Sequence, residues 1–304
     1  MVFNKVIIAS FAVLFFGMTA SAERMEDLRH REAPKHLLLR KLFGHSTPPD
    51  PAALMTYHNG SVLHTNSTMA IFWGTPWNNP SFTSDKITGL DQFFSGINNS
   101  SYARTALEYH DNSAPITTSS TYLGHVLDTT PAPNQELSVD GAVAEACKIT
   151  SNNPNPNAVY FIYTSTAAGN VNYCAWHSYG NCTNGAPIQV AYMPNITGMA
   201  ACDPGDHVTG HSQGLAALAN VTAHELMESI TDPRDGGWYD SLQNEDGDKC
   251  AWSYPVSLSS WLGLNGISTL SNGANFKLQM EWSNAAYLAG TGMPNLNGQR
   301  GCIH

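Results

Sequence analysis

The stretch Asn220-Val221-Thr222-Ala223-His224-Glu225-Leu226-Met227-Glu228-Ser229-Ile230-Thr231-Asp232-Pro233 carries the residues best suited to chemistry. In a helix, His224 and Glu228 stand four residues apart and so share a face, where an imidazole and a carboxylate can grip one cation. This is the spacing of the His-Glu-x-x-His zinc hydrolases, with Glu228 in place of the second His. In that arrangement the Glu after the first His, here Glu225, is the general base that takes a proton from the attacking water. Leu215, Leu218, Ala219, Val221, Ala223, Leu226, Met227 and Ile230 make the segment apolar nearly all round, the pattern of a helix inside a core. Charged groups there need a partner or a metal. The competing reading is that the polar side chains pair internally and hold no metal. Pro233 should end the helix at Thr231 or Asp232.

A tetrahedral zinc takes three protein ligands and leaves a fourth position for water. In the metzincin pattern the third ligand comes ten residues after the first His, but Arg234 stands there, which excludes that pattern. The acidic cluster Glu245-Asp246-Gly247-Asp248 is close enough to fold back over the helix. Glu245 is the first candidate for third ligand, with Asp248 and Asp240 behind it. A set this rich in carboxylates also suits calcium, since hard cations prefer oxygen, and its plain reading is a solvated acidic turn. Tyr239 is placed to stabilise a developing oxyanion, with ordinary packing as its alternative. A separate signal is Gly210-His211-Ser212-Gln213-Gly214, which matches the Gly-x-Ser-x-Gly nucleophile elbow. That elbow must follow a buried strand, whereas residues 203–209 read as a loop, so a serine hydrolase at Ser212 is a minor alternative. His207 and His211 read as loop residues.

The elements that must position these groups follow from periodicity. Thr68 to Trp73, Ala158 to Thr164 and Ile188 to Met193 are strand-like, rich in aromatic and branched residues and bounded by Gly, Pro or Asn. Helical patterns lie near Asp85 to Ile97, Val139 to Ile149 and Leu215 to Ile230. One further strand is expected at Phe276 to Trp282. Strands alternating with helices imply a single α+β domain, a mixed sheet with helices packed on its faces. A buried His-Glu helix shortly after an edge strand is also the arrangement of zincin-type metallopeptidases, an analogy of fold.

The ends differ from this core. Lys5, the apolar run Val6 to Phe16 and Ala20-Ser21-Ala22 form a secretory signal peptide over residues 1–22. The run is too short to span a bilayer, which needs about 20 apolar residues. Residues 23–53 read as a basic leader or propeptide with a Pro-rich linker. Six of the chain's 14 basic residues fall there (Arg24, Arg29, Arg31, Lys35, Arg40, Lys41), and Thr47-Pro48-Pro49-Asp50-Pro51 closes it. The leader has no Cys and cannot cap a metal with a thiolate. Without it the core is strongly acidic, which disfavours nucleic acid and anionic membranes as partners. Cys147, Cys174, Cys182, Cys202, Cys250 and Cys302, with no Cys-x-x-Cys pair, read as up to three disulfides of an exported, extracellular chain.

Several linked stretches resemble the EXORDIUM, or phosphate-induced protein, family of secreted proteins known chiefly from plant cell walls. Leu54-Met55-Thr56-Tyr57-His58-Asn59-Gly60 is similar to that family's Tyr-His-x-Gly opening, and Cys174-Ala175-Trp176-His177 to its Cys-Gly-x-His segment. His224-Glu225-Leu226, Asp232-Pro233, Trp238-Tyr239, Glu245-x-Gly247-Asp248-x-Cys250 and Cys302 continue the match across residues 54–304. The resemblance implies an extracellular protein linked to growth and cell-wall responses, and supplies no reaction. Two functions are therefore expected. The first is a secreted zinc-dependent hydrolase of peptidase type, with His224, Glu228, Glu245 and Asp248 as the metal-ligand candidates and Glu225 as base. The second is a non-catalytic extracellular or cell-wall protein that binds calcium or glycan, its seven tryptophans offering stacking platforms.

Overall fold

In the computed structural model, residues 35–39, 53–255 and 266–304 are described, all within one compact unit, Pro34–His304. The expected signal peptide, residues 40–52 and Trp261 lie outside them. The strands are β1 (His36–Leu39), β2 (Thr56–Tyr57), β3 (Asn66–Trp73), β4 (Ser120–Asp128), β5 (Ala158–Thr164), β6 (Tyr173–Asn181), β7 (Pro187–Met193), β8 (Trp238–Tyr239), β9 (Ile267–Thr269), β10 (Asn275–Lys277), β11 (Glu281–Trp282), β12 (Met293–Pro294) and β13 (Arg300–Ile303). The helices are α1 (Pro80–Thr83), α2 (Lys86–Ile97), α3 (Val139–Ile149), α4 (Gln213–Thr231), α5 (Asp246–Lys249) and α6 (Asn284–Ala289).

The main sheet has the order β1-β6-β7-β5-β3-β4. Its β4, β3, β5 and β7 run parallel, while β6 and then β1 are added antiparallel. β5 is buried at every position, as a central strand covered on both faces must be. Val159, Phe161 and Tyr163 join the large core beneath α4, and by strand alternation Tyr160 and Ile162 turn to the other face. There α3 packs on β6 and β7, so close that a Cβ on Gly180 would meet Val143 Cγ2 at 2.6 Å. The result is the expected α+β domain with a mixed sheet and packed helices. The expected strand over 276–282 is instead two, β10 and β11, because the intervening Gln279 turns its backbone and side chain to α4 and leaves the ladder.

The helix that carries the site runs from an N-cap at Ser212 to Thr231, and its residues from Gly214 onward are buried. Two of its polar residues find partners from other elements, Thr222 with the Tyr163 hydroxyl at 2.8 Å and the Asn220 side-chain oxygen with the Gln279 backbone N–H at 2.9 Å. Asn220, although part of an Asn-x-Thr sequon, is fully buried. Ser212 accepts from the Leu215 N–H at 3.2 Å, and its hydroxyl donates to Asp85. Residues 203–212 contain no strand. Ser212 is thus a helix cap, and the serine elbow lacks its supporting strand. Three disulfides, Cys147–Cys182, Cys174–Cys202 and Cys250–Cys302, pair all six cysteines as the composition suggested. No helix among the described residues is long and apolar enough to cross a membrane.

Asp85, at the N-terminus of α2, ties that helix to α4 by accepting from the Ser212 N–H at 2.8 Å as well as from its hydroxyl. Burial would raise the Asp85 carboxyl, but the Ser212 bonds outweigh it and hold it below its ordinary value. Its folded value being depressed, the contribution is complete above the unfolded value of about 4 and fades as pH falls through the folded one. Asp85→Ala should cost about 1 kcal/mol in urea unfolding at pH 7, the pair being partly screened. The gap from wild type should narrow as pH falls below the unfolded value of about 4; a gap that stays the same size through acid unfolding conditions would contradict this role.

Candidate metal centre

The segment after α4 is bent back over it. The Asp232 carboxylate accepts from the Gly236 and Gly237 N–H groups, both at 2.8 Å, and a Cβ on Gly237 would lie 2.1 Å from the Thr231 carbonyl oxygen. Only glycine fits so close a return. Asp240 then organises the loop. It accepts from the Leu242 and Asn244 N–H groups at 2.9 Å and pairs with buried Lys249 Nζ at 2.9 Å. Asp240 is therefore a brace, which removes it from the ligand candidates. Asp246 accepts from the Thr231 hydroxyl at 3.2 Å, and the Asp248 N–H donates to Glu228 Oε1 at 3.0 Å, locking α5 onto the end of α4.

A continuous chain of donors results. Glu228 Oε1 lies 3.0 Å from His224 Nε2, and Asp248 Oδ1 3.9 Å from the same nitrogen. The other Glu228 oxygen lies 3.6 Å from His177 Nε2 of β6, which is 3.0 Å from Glu245 Oε2. Glu245 Oε2 in turn lies 2.8 Å from Nδ1 of His36 in β1, whose ring stacks on His177 at 4.7 Å. Three overlapping groups are compact enough to hold a cation: His224, Glu228 and Asp248; His177, Glu225 and Glu228; and His36, His177 and Glu245. The sequence put Glu245 first as third ligand beside His224 and Glu228. The structure puts Asp248 there and turns Glu245 toward the two other histidines. Tyr239 is half-buried in β8, with its ring stacked 3.6 Å from that of His58. Among the described contacts its hydroxyl has none with the cluster.

His224, Glu225, Glu228 and Glu245 are 0% exposed. His224 Nε2, both Glu225 oxygens, Glu228 Oε2, Glu245 Oε1, Asp246 Oδ2 and Glu281 Oε2 are buried without a hydrogen-bond partner. Such groups are rarely left so in a folded protein. His224 Nε2 and Glu228 Oε1 are near each other yet not aligned as donor and acceptor, the relation of two ligands aimed at a common point. Burial, then Asp248 and Glu245, push Glu225 and Glu228 well above the carboxylate range. Burial and Glu245 likewise raise Asp246 to about 8 and Asp248 to about 7. Burial and the neighbouring His177 lower His224 to about 3, leaving it neutral, as a metal ligand must be. Only Glu245 is driven the other way, since His36 and His177 outweigh its burial and hold it at about 2. Burial alone would lower His36, but Glu245, Asp232 and Asp235 hold it at about 9.

Comparison with known proteins finds no matching family model, curated protein or solved structure. The chemistry of the site therefore rests on its geometry.

His177, His36 and Gln279 were not singled out as site residues from sequence. His177 had a readable signal, a histidine in a strand run that is otherwise apolar and aromatic. His36 had none, being one of several polar residues in a basic leader. Gly247 gives a direct check on how tightly the centre is built, because a Cβ there would lie 2.6 Å from His224 Nδ1 and 2.9 Å from Glu228 Oε1. Gly247→Ala adds no charge, yet should destabilise the protein by about 1–3 kcal/mol in urea unfolding. A change within about 0.5 kcal/mol would show that α5 does not press on the two side chains.

Proposed function

We propose that the protein is a secreted metal-dependent hydrolase of peptidase type, with zinc held by His224, Glu228 and Asp248 and with Glu225 as general base. The observation that carries this reading is the set of buried, unpartnered atoms on His224, Glu225, Glu228 and Glu245, beside which His177 of β6 and Asp248 of α5 stand close enough to share a cation. The mixed nitrogen and oxygen donors suit zinc better than calcium, which favours six to eight oxygens. The set asks for one adjustment. Gln279 Nε2 lies 2.7 Å from His224 Nδ1 and also donates to the Gly247 carbonyl at 3.1 Å. A cation on Nε2 puts the ring proton on Nδ1, so the Gln279 amide must turn its oxygen to accept it, the usual outer support of a ligating histidine.

When bound, the cation supplies Lewis acidity and the positive charge that returns the raised carboxyls to their ionised form. Glu225 is then placed beside Glu228 and His177 to take a proton from water and pass it to the leaving amine. His177, with Nε2 3.6 Å from Glu228 and 3.0 Å from Glu245, stands at the cluster and is a better candidate than Tyr239 for stabilising developing negative charge, once its bond to Glu245 yields. The disulfides fit an oxidising compartment, in keeping with export. Kinship with the EXORDIUM proteins is part of the proposal. Its motifs converge in space, Tyr57 pairing with Trp238, His177 meeting Glu245, and Cys250 bonding to Cys302.

A second reading, a non-catalytic extracellular protein whose cluster only braces the loop, is favoured by one observation, the complete burial of the site. Its glycan-stacking form has less support, because Trp77, Trp176, Trp252 and Trp282 are buried and Trp73 and Trp238 are half-buried. Elemental analysis of the purified protein separates the readings. Wild type and Glu225→Gln should each carry about one zinc per chain, and His224→Ala and Asp248→Ala at least tenfold less. Zinc-free wild type after loading and desalting would sink the metal reading.

A further inference from the structure

β1, a segment of the basic leader, covers one side of the centre. It pairs antiparallel with β6, placing His36 opposite His177, Leu37 opposite Trp176 and Leu38 opposite Ala175. Without β1, β6 would be the outer strand of the sheet, and a free strand edge with its unpaired N–H and C=O groups is a template for another extended chain. His36 and Leu38 project to one face, toward α4. There the His36 ring reaches Glu245 at 2.8 Å, and Leu38 is 0% exposed, its backbone N–H approaching Glu225 without a hydrogen bond. The backbone is gripped as well. Trp252, held at a φ of 59° that is costly for a bulky side chain, donates from its ring N–H to the Leu39 carbonyl at 3.1 Å. Charge agrees with this, since His36 lies among Glu245, Asp232 and Asp235, and Lys35 pairs with Glu136 at 3.0 Å. All three disulfides join cysteines from 147 onward, so none fastens the strand.

We propose that the edge of β6 is the binding surface for an extended, basic polypeptide running antiparallel to it across the carboxylate cluster, and that residues 36–39 occupy that surface in the intact chain. The groups that hold β1 are a ladder, an acidic pocket for the residue at the His36 position, an apolar pocket for the residue two places on, and a ring N–H for a carbonyl. They recognise a main chain and alternate side chains rather than one particular sequence. On the hydrolase reading, on which this consequence rests, the leader keeps substrate and water from Glu225. The intact protein is then latent, and release of β1 opens it.

The test uses full-length, metal-free protein and a fluorescein-labelled peptide with the sequence of residues 34–42, read by anisotropy. Leu38→Asp, which sets a charge against the core, should release β1 and bind the peptide at least tenfold more tightly than wild type, with His36→Ala in between. Hydrogen exchange of wild type gives a check that needs no variant, because amides of β1 should exchange at least tenfold faster than those of β5. Failure of both variants to bind while circular dichroism shows them folded, or protection of β1 equal to that of β5, overturns the proposal and makes β1 a permanent sheet strand. Zinc loading separates the two readings. Peptide binding by Leu38→Asp without zinc uptake keeps the docking surface and removes the hydrolase, whereas zinc uptake without peptide binding does the reverse. With both, Leu38→Asp should cleave a mixed peptide library and Leu38→Asp with Glu225→Gln should not.

Discussion

Too many carboxyl groups share too little water at the heart of this protein. Glu225, Glu228, Glu245, Asp246 and Glu281 are fully buried, and Asp248 closes against them, with three imidazoles as their near partners. An isolated charge in such surroundings is so costly that the group takes up a proton instead, which is the direction in which Glu225, Glu228, Asp246 and Asp248 are driven. A fold would keep this arrangement most readily if a divalent cation takes the place of those protons. Complete burial and unpartnered atoms are thus one condition, which the proposed cation would relieve.

The scaffold spends its tightest contacts on holding that condition. The Asp232 turn, the near contact at Gly237, the Asp240–Lys249 pair and the Cys250–Cys302 bridge all act on the segment that presses Asp248 onto Glu228. Beneath it, α4 packs across β6, β7 and β5, and β6 delivers His177 from the antiparallel side of the sheet. The change from parallel to antiparallel pairing at β7 and β6 therefore has a chemical consequence. It sets an imidazole opposite the helix, and it leaves an outer edge where β1 lies.

Much of the fold was legible in the sequence. The strands β3, β5 and β7 and the helices α2, α3 and α4 follow from local periodicity, as does the end of α4 before Pro233. His224, Glu225 and Glu228 stood out because four-residue spacing and an apolar background lie within one element. The rest depends on contacts between elements distant in the chain, which periodicity does not encode. Asp248 rather than Glu245 meets His224 because α5 adds one helical turn between them. Gln279 breaks what reads as one strand, for the sake of a bond to α4. His36 joins a segment whose composition suggests only a solvated leader to residue 245, far along the chain.

Zinc K-edge X-ray absorption on the zinc-loaded protein tests the central claim most directly. The account predicts nitrogen and oxygen scatterers at about 2.0–2.1 Å, with the imidazole outer-shell signal lost in His224→Ala and kept in Glu225→Gln. A spectrum of hydrated zinc, or an imidazole signal unchanged in His224→Ala, would contradict a cation held by His224 and its carboxylates.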